Sequence, residues 1–477
     1  KKNMKDKFKE KLNYRLNYRG SDHSAFLPKG VTAISLRTGN PLTSNLNDEH
    51  PEYHRPGDDP AYIQPELLQL AAEYHIDLLT FLSNAQNNFL VPKHHIHFIH
   101  KDSTVVDLHC DTISRFLRGE DLTKNNPKGH IDIPKLKEGA VDLQVFACFV
   151  GPPREDADKY QAAKKLFDQI DAVHELVEQN PDDLLLVKAY EDLRGLRGTR
   201  KTGILIGIEG GYAIENDLRL LRSFYRNGVR LMTLTHWTHT DWADASGDPE
   251  PQFGGLTEFG EEVVKEMNKL GMIIDVSHVH DETFWDVIRI TDSPIVASHS
   301  CCRALSDYHR NLSDKMLKAL AKNGGVIGIN FAPFFLNVNN WEKRDALRSE
   351  LLKKYDLPED RRELAKADPE IRKKFSEEYN SKLEELNKTL GQESVKDVVD
   401  HIEHVIKVTG NANHVGLGSD YDGIGTPPVG LEHIGKIANI TAELVRRGHK
   451  DSDIRKILGG NFLRVFRSVT SQSTTRN

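Results

Sequence analysis

From residue 104 onward the chain alternates two textures: short apolar runs rich in Val and Ile, each ending on a polar residue, and longer segments with helical spacing of apolar positions. The runs are 104–108, 141–150, 203–208, 231–235, 272–276, 294–297, 326–331 and 415–418. Apolar runs without in–out alternation belong to strands covered on both faces, as in a parallel sheet whose crossovers are helices. Eight such units predict an α/β chain closed into a (β/α)8 barrel of the TIM type, over residues 104–470. Between the seventh and eighth runs, residues 340–390 are dense in Lys, Arg and Glu and predict a helical insertion with a solvated face and no chemistry. Apolar positions Val395, Val398, Val399, Ile402, Val405 and Ile406 then share one helix face, so the barrel pattern resumes there.

The region before the barrel differs. Polar residues 84–88 give way to a His-rich run at 92–100, and residues 91–103 read as a linker. The alternation around Ile96, Phe98 and Ile99 fits an edge strand or a connector, with adventitious metal binding as the other use of such a tract. Residues 1–90 form a separate, partial α/β segment, in which 65–82 looks helical.

Composition excludes more than it assigns. With 38% hydrophobic and 28% charged residues in 477, disorder is not expected. The net charge of -7 offers nothing to a polyanion, which excludes nucleic acid as a partner class. No apolar run approaches the roughly 20 residues needed to span a bilayer, so the chain is expected to be soluble. The start Lys1-Lys2 and the basic stretch after it lack the apolar centre of a secretory signal, which leaves a cytoplasmic or a periplasmic location open. The four cysteines, Cys110, Cys148, Cys301 and Cys302, do not form a spaced thiolate framework.

Candidate chemistry lies at the C-terminal ends of the predicted strands, where barrel enzymes place it. His109 and Asp111 follow the first run, and alternate strand residues can face one ion. Glu209 ends the third run in Glu209-Gly210-Gly211, where glycine admits close backbone approach. His278 and His299 end the fifth and sixth. Each alone reads equally as a hydrogen-bonded core histidine or a helix-entry acid. Five N and O donors on four strand ends of one rim point instead to a metal site. Imidazole and carboxylate without thiolate suit Zn²⁺, with Mn²⁺ or Co²⁺ chemically admissible. Cys110, between two of these donors, should face away as a small core residue.

These motifs resemble the membrane (renal) dipeptidase family, peptidase family M19, over residues 104–468. The resemblance implies a zinc-dependent hydrolase that cleaves dipeptides with a metal-bridging hydroxide. Carried over by motif, His109 and Asp111 would bind one zinc, His278 and His299 a second, and Glu209 would bridge both. It further implies that His236, in Leu231-Met232-Thr233-Leu234-Thr235-His236, contacts substrate, supported by Trp242-Ala243-Asp244. Arg310 would hold the substrate's terminal carboxylate, and Asp420, in Ser419-Asp420-Tyr421-Asp422-Gly423, would be the catalytic aspartate and an anchor for the substrate's amino group. The matches at 130–134 and 459–464 are read as structural. Tyr212 and Ala332 depart from the family pattern and put substrate preference in question. Partners would be a dipeptide and, at most, a second copy of the chain. Another amide hydrolase on the same barrel, a deacylase or lactamase, is the alternative, as is a noncatalytic relative.

Residues 17–82, with Ser21-Asp22-His23-Ser24-Ala25-Phe26 and Tyr53-His54-Arg55-Pro56-Gly57-Asp58-Asp59, resemble the C-terminal end of the M28 zinc aminopeptidases. There the residue matching His54 is a metal ligand, but one ligand cannot hold a zinc, so this segment is expected to be noncatalytic.

Overall fold

The structure is a computed structural model, and it describes residues 93–474 apart from 153–160, 197–198, 200 and 249. The aminopeptidase-like stretch with His54 and its helix-like run lies outside the described residues.

Nine parallel strands form the sheet: β1 (Val106–Cys110), β2 (Leu143–Phe149), β3 (Leu184–Leu186), β4 (Thr202–Glu209), β5 (Val229–Thr233), β6 (Ile273–Asp275), β7 (Val296–Ser300), β8 (Val326–Ile329) and β9 (Val415–Leu417). Their order is β2-β1-β9-β8-β7-β6-β5-β4-β3, and β2 also pairs with β4 from Leu143↔Gly203 to Phe149↔Glu209. That pairing closes β1, β2 and β4 to β9 into the expected eight-stranded barrel. Among the described residues the additional strand β3 pairs with β4 alone. Its three leucines follow a long helix, and so short an apolar run cannot be told from a helix end by periodicity.

The inward face of the barrel is apolar, with Val106, Leu108, Val145, Leu205, Leu231, Ile273 and Val326 in one buried cluster. The C-terminal helix Asn461–Thr474 adds Phe462, Val465 and Phe466 to it. Arg464 on that helix donates to the carbonyls of Gly324 and Asn413, which precede β8 and β9, so the helix closes the N-terminal end of the barrel. A second, larger core lies between the outward strand faces and the surrounding helices. Those helices start and stop where local chemistry directs: Thr257, Ser313 and Ser394 cap N-termini, and Gly271, Gly324 and Gly410 end helices with φ of 77°, 84° and 80°.

The His-rich run is neither a strand nor an open connector. It is the helix Lys93–Asp102, buried at Ile99 and His100. His100 is held from both sides, at 2.8 Å by the Thr441 hydroxyl and at 2.9 Å by the Gly139 carbonyl. A face repeating at Ile96 and then Ile99–His100 satisfies a helix, and tertiary packing overrode the local alternation. The insertion is helical as expected, in Val338–Lys354, Arg361–Lys366 and Pro369–Leu390, with a small core of Leu351, Leu352, Leu357 and Phe375. Buried Arg344 ties it together by donating to Glu393 at 2.7 Å, Asn387 at 2.9 Å and the Gly391 carbonyl at 2.9 Å.

Candidate metal and substrate site

Two of the predicted donors sit at irregularities in the strands. In β1, Asp107 pairs with Gln144 and Cys110 with Phe146, so His109 lies where β1 has one residue more than β2. In β7, Ala297 pairs with Ile327 and Ser300 with Ile329, which puts His299 in the same position. An extra residue of this kind re-aims a side chain and locally increases twist. Here the two imidazoles are brought ring to ring, with centroids 3.8 Å apart. Cys110 faces the outer core, as alternation predicted.

Glu209 is the last residue of β4. The glycines after it are needed: Gly210 has φ 89°, and a Cβ on Gly211 would lie 2.4 Å from the Trp242 ring and 2.5 Å from the Leu234 carbonyl. His278 does not end its strand, because β6 stops at Asp275. The side chain instead comes from a turn in which His278 itself has φ 68°. Asp420 also has a left-handed backbone, φ 62°. Strained residues of this type cluster at functional sites, where surrounding contacts hold them. The loop that carries Asp420 is pinned to the end of β1 by Asp420 N–H to the His109 carbonyl at 3.2 Å and Asp111 N–H to the Tyr421 carbonyl at 2.9 Å.

The side chains converge on one carboxylate oxygen. Glu209 Oε1 lies 3.0 Å from His278 Nε2, 3.5 Å from His299 Nε2, 3.6 Å from His109 Nε2 and 3.8 Å from His236 Nε2. His109 Nε2 is also 3.8 Å from Asp111 Oδ2 and 4.0 Å from Asp420 Oδ1. Three overlapping groups have donor atoms mutually within 4.8 Å: His109, Glu209 and His299; Glu209, His236 and His278; His109, Asp111 and Asp420. His236, expected to contact substrate, and Asp420, expected as the catalytic aspartate, were not among the predicted ligands, yet both stand within the donor cluster.

This donor set fits divalent cations. Ligand atoms about 2.0–2.1 Å from a tetrahedral Zn²⁺ lie about 3.3 Å from one another. The Nε2 atoms of His278 and His299 are 2.9 Å apart, and with Glu209 Oε1 they form a triangle whose other edges are 3.0 and 3.5 Å. His109 Nε2 is buried with no hydrogen-bond partner. Burial, reinforced by neighbouring positive groups, holds His278 and His299 well below the usual imidazole range, so they are neutral. Burial, and then the charge of Glu209, pushes Asp111 well above the carboxylate range. Asp420 is pushed up to about 6 by burial and Glu209, against His109 and the Asn330 amide. His109 departs from this: against burial, the charge of Glu209 with Asp111 and Asp420 raises it to about 10. A cluster whose carboxylates draw a proton onto one imidazole is an environment that a bound cation relieves.

A second layer, not anticipated from the sequence, orients these groups. Asp275, fully buried, accepts from Ser298 Oγ at 2.5 Å, Thr233 Oγ1 at 2.7 Å, and the Ser277 and Ser298 amides at 2.9 Å each. Because the Ser298 hydroxyl donates to Asp275, it accepts from His299 Nδ1–H at 2.7 Å, which leaves the lone pair of His299 on Nε2. Across the barrel, Asp107 holds Ser419 by its amide and hydroxyl, both at 2.7 Å, and Gln144 at 2.8 Å. Asn330 donates to Asp420 Oδ2 at 3.0 Å. Asp422 receives Arg115 at 2.7 Å, Thr112 at 2.8 Å and the His130 amide at 2.8 Å, which gives the stretch around residue 130 the structural part assigned to it. In the sequence these groups resemble ordinary turn and cap residues; the only signal is that Asp275 and Asp107 interrupt apolar runs.

Arg310 is buried, yet no carboxylate pairs with it among the described residues. Its contacts are long bonds to Ser300 Oγ at 3.4 Å and the His299 carbonyl at 3.5 Å, with Phe335 and Trp237 rings 5.0 and 5.9 Å away. Burial lowers it to about 10, offset in part by Asp420. Trp237, missed in the sequence, stands edge-on to His278 at 5.5 Å. Of the two departures, Tyr212 donates its hydroxyl to the Thr238 carbonyl under the His236 loop, and Ala332 is fully buried.

Comparison with known proteins adds independent findings. The sequence model of the membrane dipeptidase family (peptidase family M19) matches residues 93–477, and that of peptidase family M28 matches residues 1–79. The dipeptidase aclJ of Aspergillus oryzae is 32% identical over 346 residues, 72% of this chain and 70% of that protein. A crystal structure of the probable dipeptidase PvdM from Pseudomonas aeruginosa superposes with a TM-score of 0.65 at 30% identity, covering 80% of this chain and 98% of that one. A metallopeptidase from Rhodobacter sphaeroides, solved with a phosphinate mimic of L-Ala-D-Ala, shares the fold with a TM-score of 0.61 at 23% identity, over 77% of this chain and 99% of that one.

Proposed function

The chain belongs to the membrane dipeptidase family M19, and from that premise we propose that it is a dinuclear zinc dipeptidase acting at the Glu209-centred cluster. The observation that carries the substrate class is Arg310: a buried guanidinium without a carboxylate, close to a cluster suited to cations, fits the free C-terminus of a short peptide. His109 and Asp111 would hold one zinc, His278 and His299 the other, with Glu209 shared between them. Bound there, the metal pair supplies Lewis-acid polarisation of the scissile carbonyl and a water acidic enough to ionise near neutrality.

The protein's own residues do the rest. Arg310 fixes the substrate carboxylate and so aims the peptide bond at the cluster, converting binding energy into orientation. His236, kept neutral by burial, presents a ring N–H to the carbonyl oxygen as negative charge develops, a contribution of about 3 kcal/mol for a well-placed donor. Asp420, whose Oδ1 lies 4.0 Å from His109 Nε2 at the edge of the cluster, accepts the proton of the attacking water and returns it to the leaving amine. Asn330 keeps its other oxygen occupied.

We further propose that residues 104–470 carry this activity and that residues 1–90 are a noncatalytic aminopeptidase-like segment. Metal content measured on the purified chain, together with a dipeptide hydrolysis panel, tests the reading. Two equivalents of zinc and turnover abolished by chelation are expected. A metal-free protein, or a zinc-loaded one inert toward every dipeptide, refutes it.

A further inference from the structure

The helical insertion, expected to be chemically silent, walls a cavity of about 600 Å³ beside the site. One side is Tyr308 and His309, immediately before Arg310, and the other is Val338, Trp341 and Glu342 at the start of the helix Val338–Lys354. The cavity adjoins the donor cluster. Ser246, in its lining, donates its N–H to the His278 carbonyl at 2.8 Å. Trp237 stands edge-on to His278 and, at 6.2 Å, to His309. A dipeptide anchored by its carboxylate on Arg310 carries its C-terminal side chain on the next carbon, so that side chain is the part of the substrate within reach of this space.

The charge around the cavity is one-sided. Asp248, Asp281, Asp307 and Glu342 line it against a single guanidinium, Arg303, beside His280 and His309. Arg303 is already committed, donating from both terminal nitrogens to Asp281 at 2.7 Å. Asp248 lies 3.3 Å from His239 Nε2. Asp307 and Glu342 have no ion-pair partner among the described residues. Trp341, 37% exposed, and Tyr308 add aromatic surface against which methylene groups pack and a cation is stabilised. A volume of this size also exceeds what a short side chain needs.

We infer that this cavity is a specificity pocket for a long cationic side chain on the C-terminal residue of the substrate, with Asp307 and Glu342 selecting its charge. The inference rests on the dipeptidase reading above and extends it to the insertion.

The test compares kcat/KM for alanyl-lysine, alanyl-glutamate and alanyl-alanine on the zinc-loaded full chain, its Asp307→Asn/Glu342→Gln double variant and Glu342→Lys. Both residues are exposed, so the fold tolerates the changes. The wild type should favour alanyl-lysine over alanyl-glutamate by about tenfold or more, as two partly solvated charges allow. The double variant should bring that ratio toward one, and Glu342→Lys should turn it in favour of alanyl-glutamate. A wild-type ratio near one with alanyl-alanine still cleaved, or a preference unmoved by the variants, overturns the pocket while leaving the dipeptidase reading intact. Failure to cleave any of the three overturns both.

Discussion

Replacing Arg310 by Met separates a substrate anchor from a structural residue, because the two assignments predict opposite changes in stability. The guanidinium is buried with no carboxylate paired to it among the described residues, and its fall from 12.5 to about 10 corresponds to about 3 kcal/mol of native-state cost for carrying the charge. Met keeps the length and packs against Phe335 and Trp237 without that cost. The variant should therefore unfold at a higher denaturant midpoint, with up to about 3 kcal/mol gained and less where packing is imperfect. Activity should move the other way. Leaving a substrate carboxylate buried and unpaired costs about 2–5 kcal/mol, so kcat/KM for a free dipeptide should drop by about 30-fold to several thousandfold. A dipeptide amide should be discriminated against by the wild type and treated almost like the free dipeptide by the variant. Chemical denaturation and steady-state kinetics on both substrates measure all three. A less stable variant, or one that still distinguishes acid from amide, would show that Arg310 serves the fold and not the substrate.

Gly423→Ala should abolish most activity with the fold intact, since its Cβ would lie 2.2 Å from Asp111 Oδ2 and 2.7 Å from Asp420 Oδ1; a loss of about 100-fold in kcat/KM with unchanged circular dichroism is expected. Asp275→Asn places an amide among four donors and removes the reason for the His299 tautomer, so metal should be held about 10–100-fold more weakly in a chelator competition; unchanged affinity would count against the orienting part given to Asp275. His401 accepts from the Cys302 amide at Nδ1 and donates from Nε2 to the Leu336 carbonyl, and burial lowers it from 6.5 to about 4. Between these values the unfolded chain binds the extra proton, so the stabilisation present above pH 6.5 is lost as pH falls toward 4, about 3 kcal/mol in all. Denaturant midpoints from pH 7 to 4.5 should fall less steeply in His401→Gln, and parallel slopes would refute the assignment.

The barrel was legible because a strand buried on both faces must be largely apolar, and each of the eight predicted runs overlaps an observed strand, covering most of it except in β7, where only Val296 and Ala297 fall within the run. The candidate donors were legible only as a set: singly each has an ordinary reading as a core histidine or a helix-entry acid, but five at the run ends of one rim do not, and Glu209 stands where β4 ends. What the sequence could not contain is pairing. The extra residues that aim His109 and His299 exist only relative to β2 and β8. Asp107 meets Ser419 across 312 positions, and Asn330 meets Asp420 across 90. The His-rich run became a helix because Thr441 and Gly139 were there to hold His100. The insertion came to wall the cavity only because the fold set Trp341 and Glu342 beside Tyr308 and His309. Apolar burial is a property of each residue and can be read along the chain, whereas a hydrogen bond, a bulge or a cavity belongs to two segments at once and is decided where they meet.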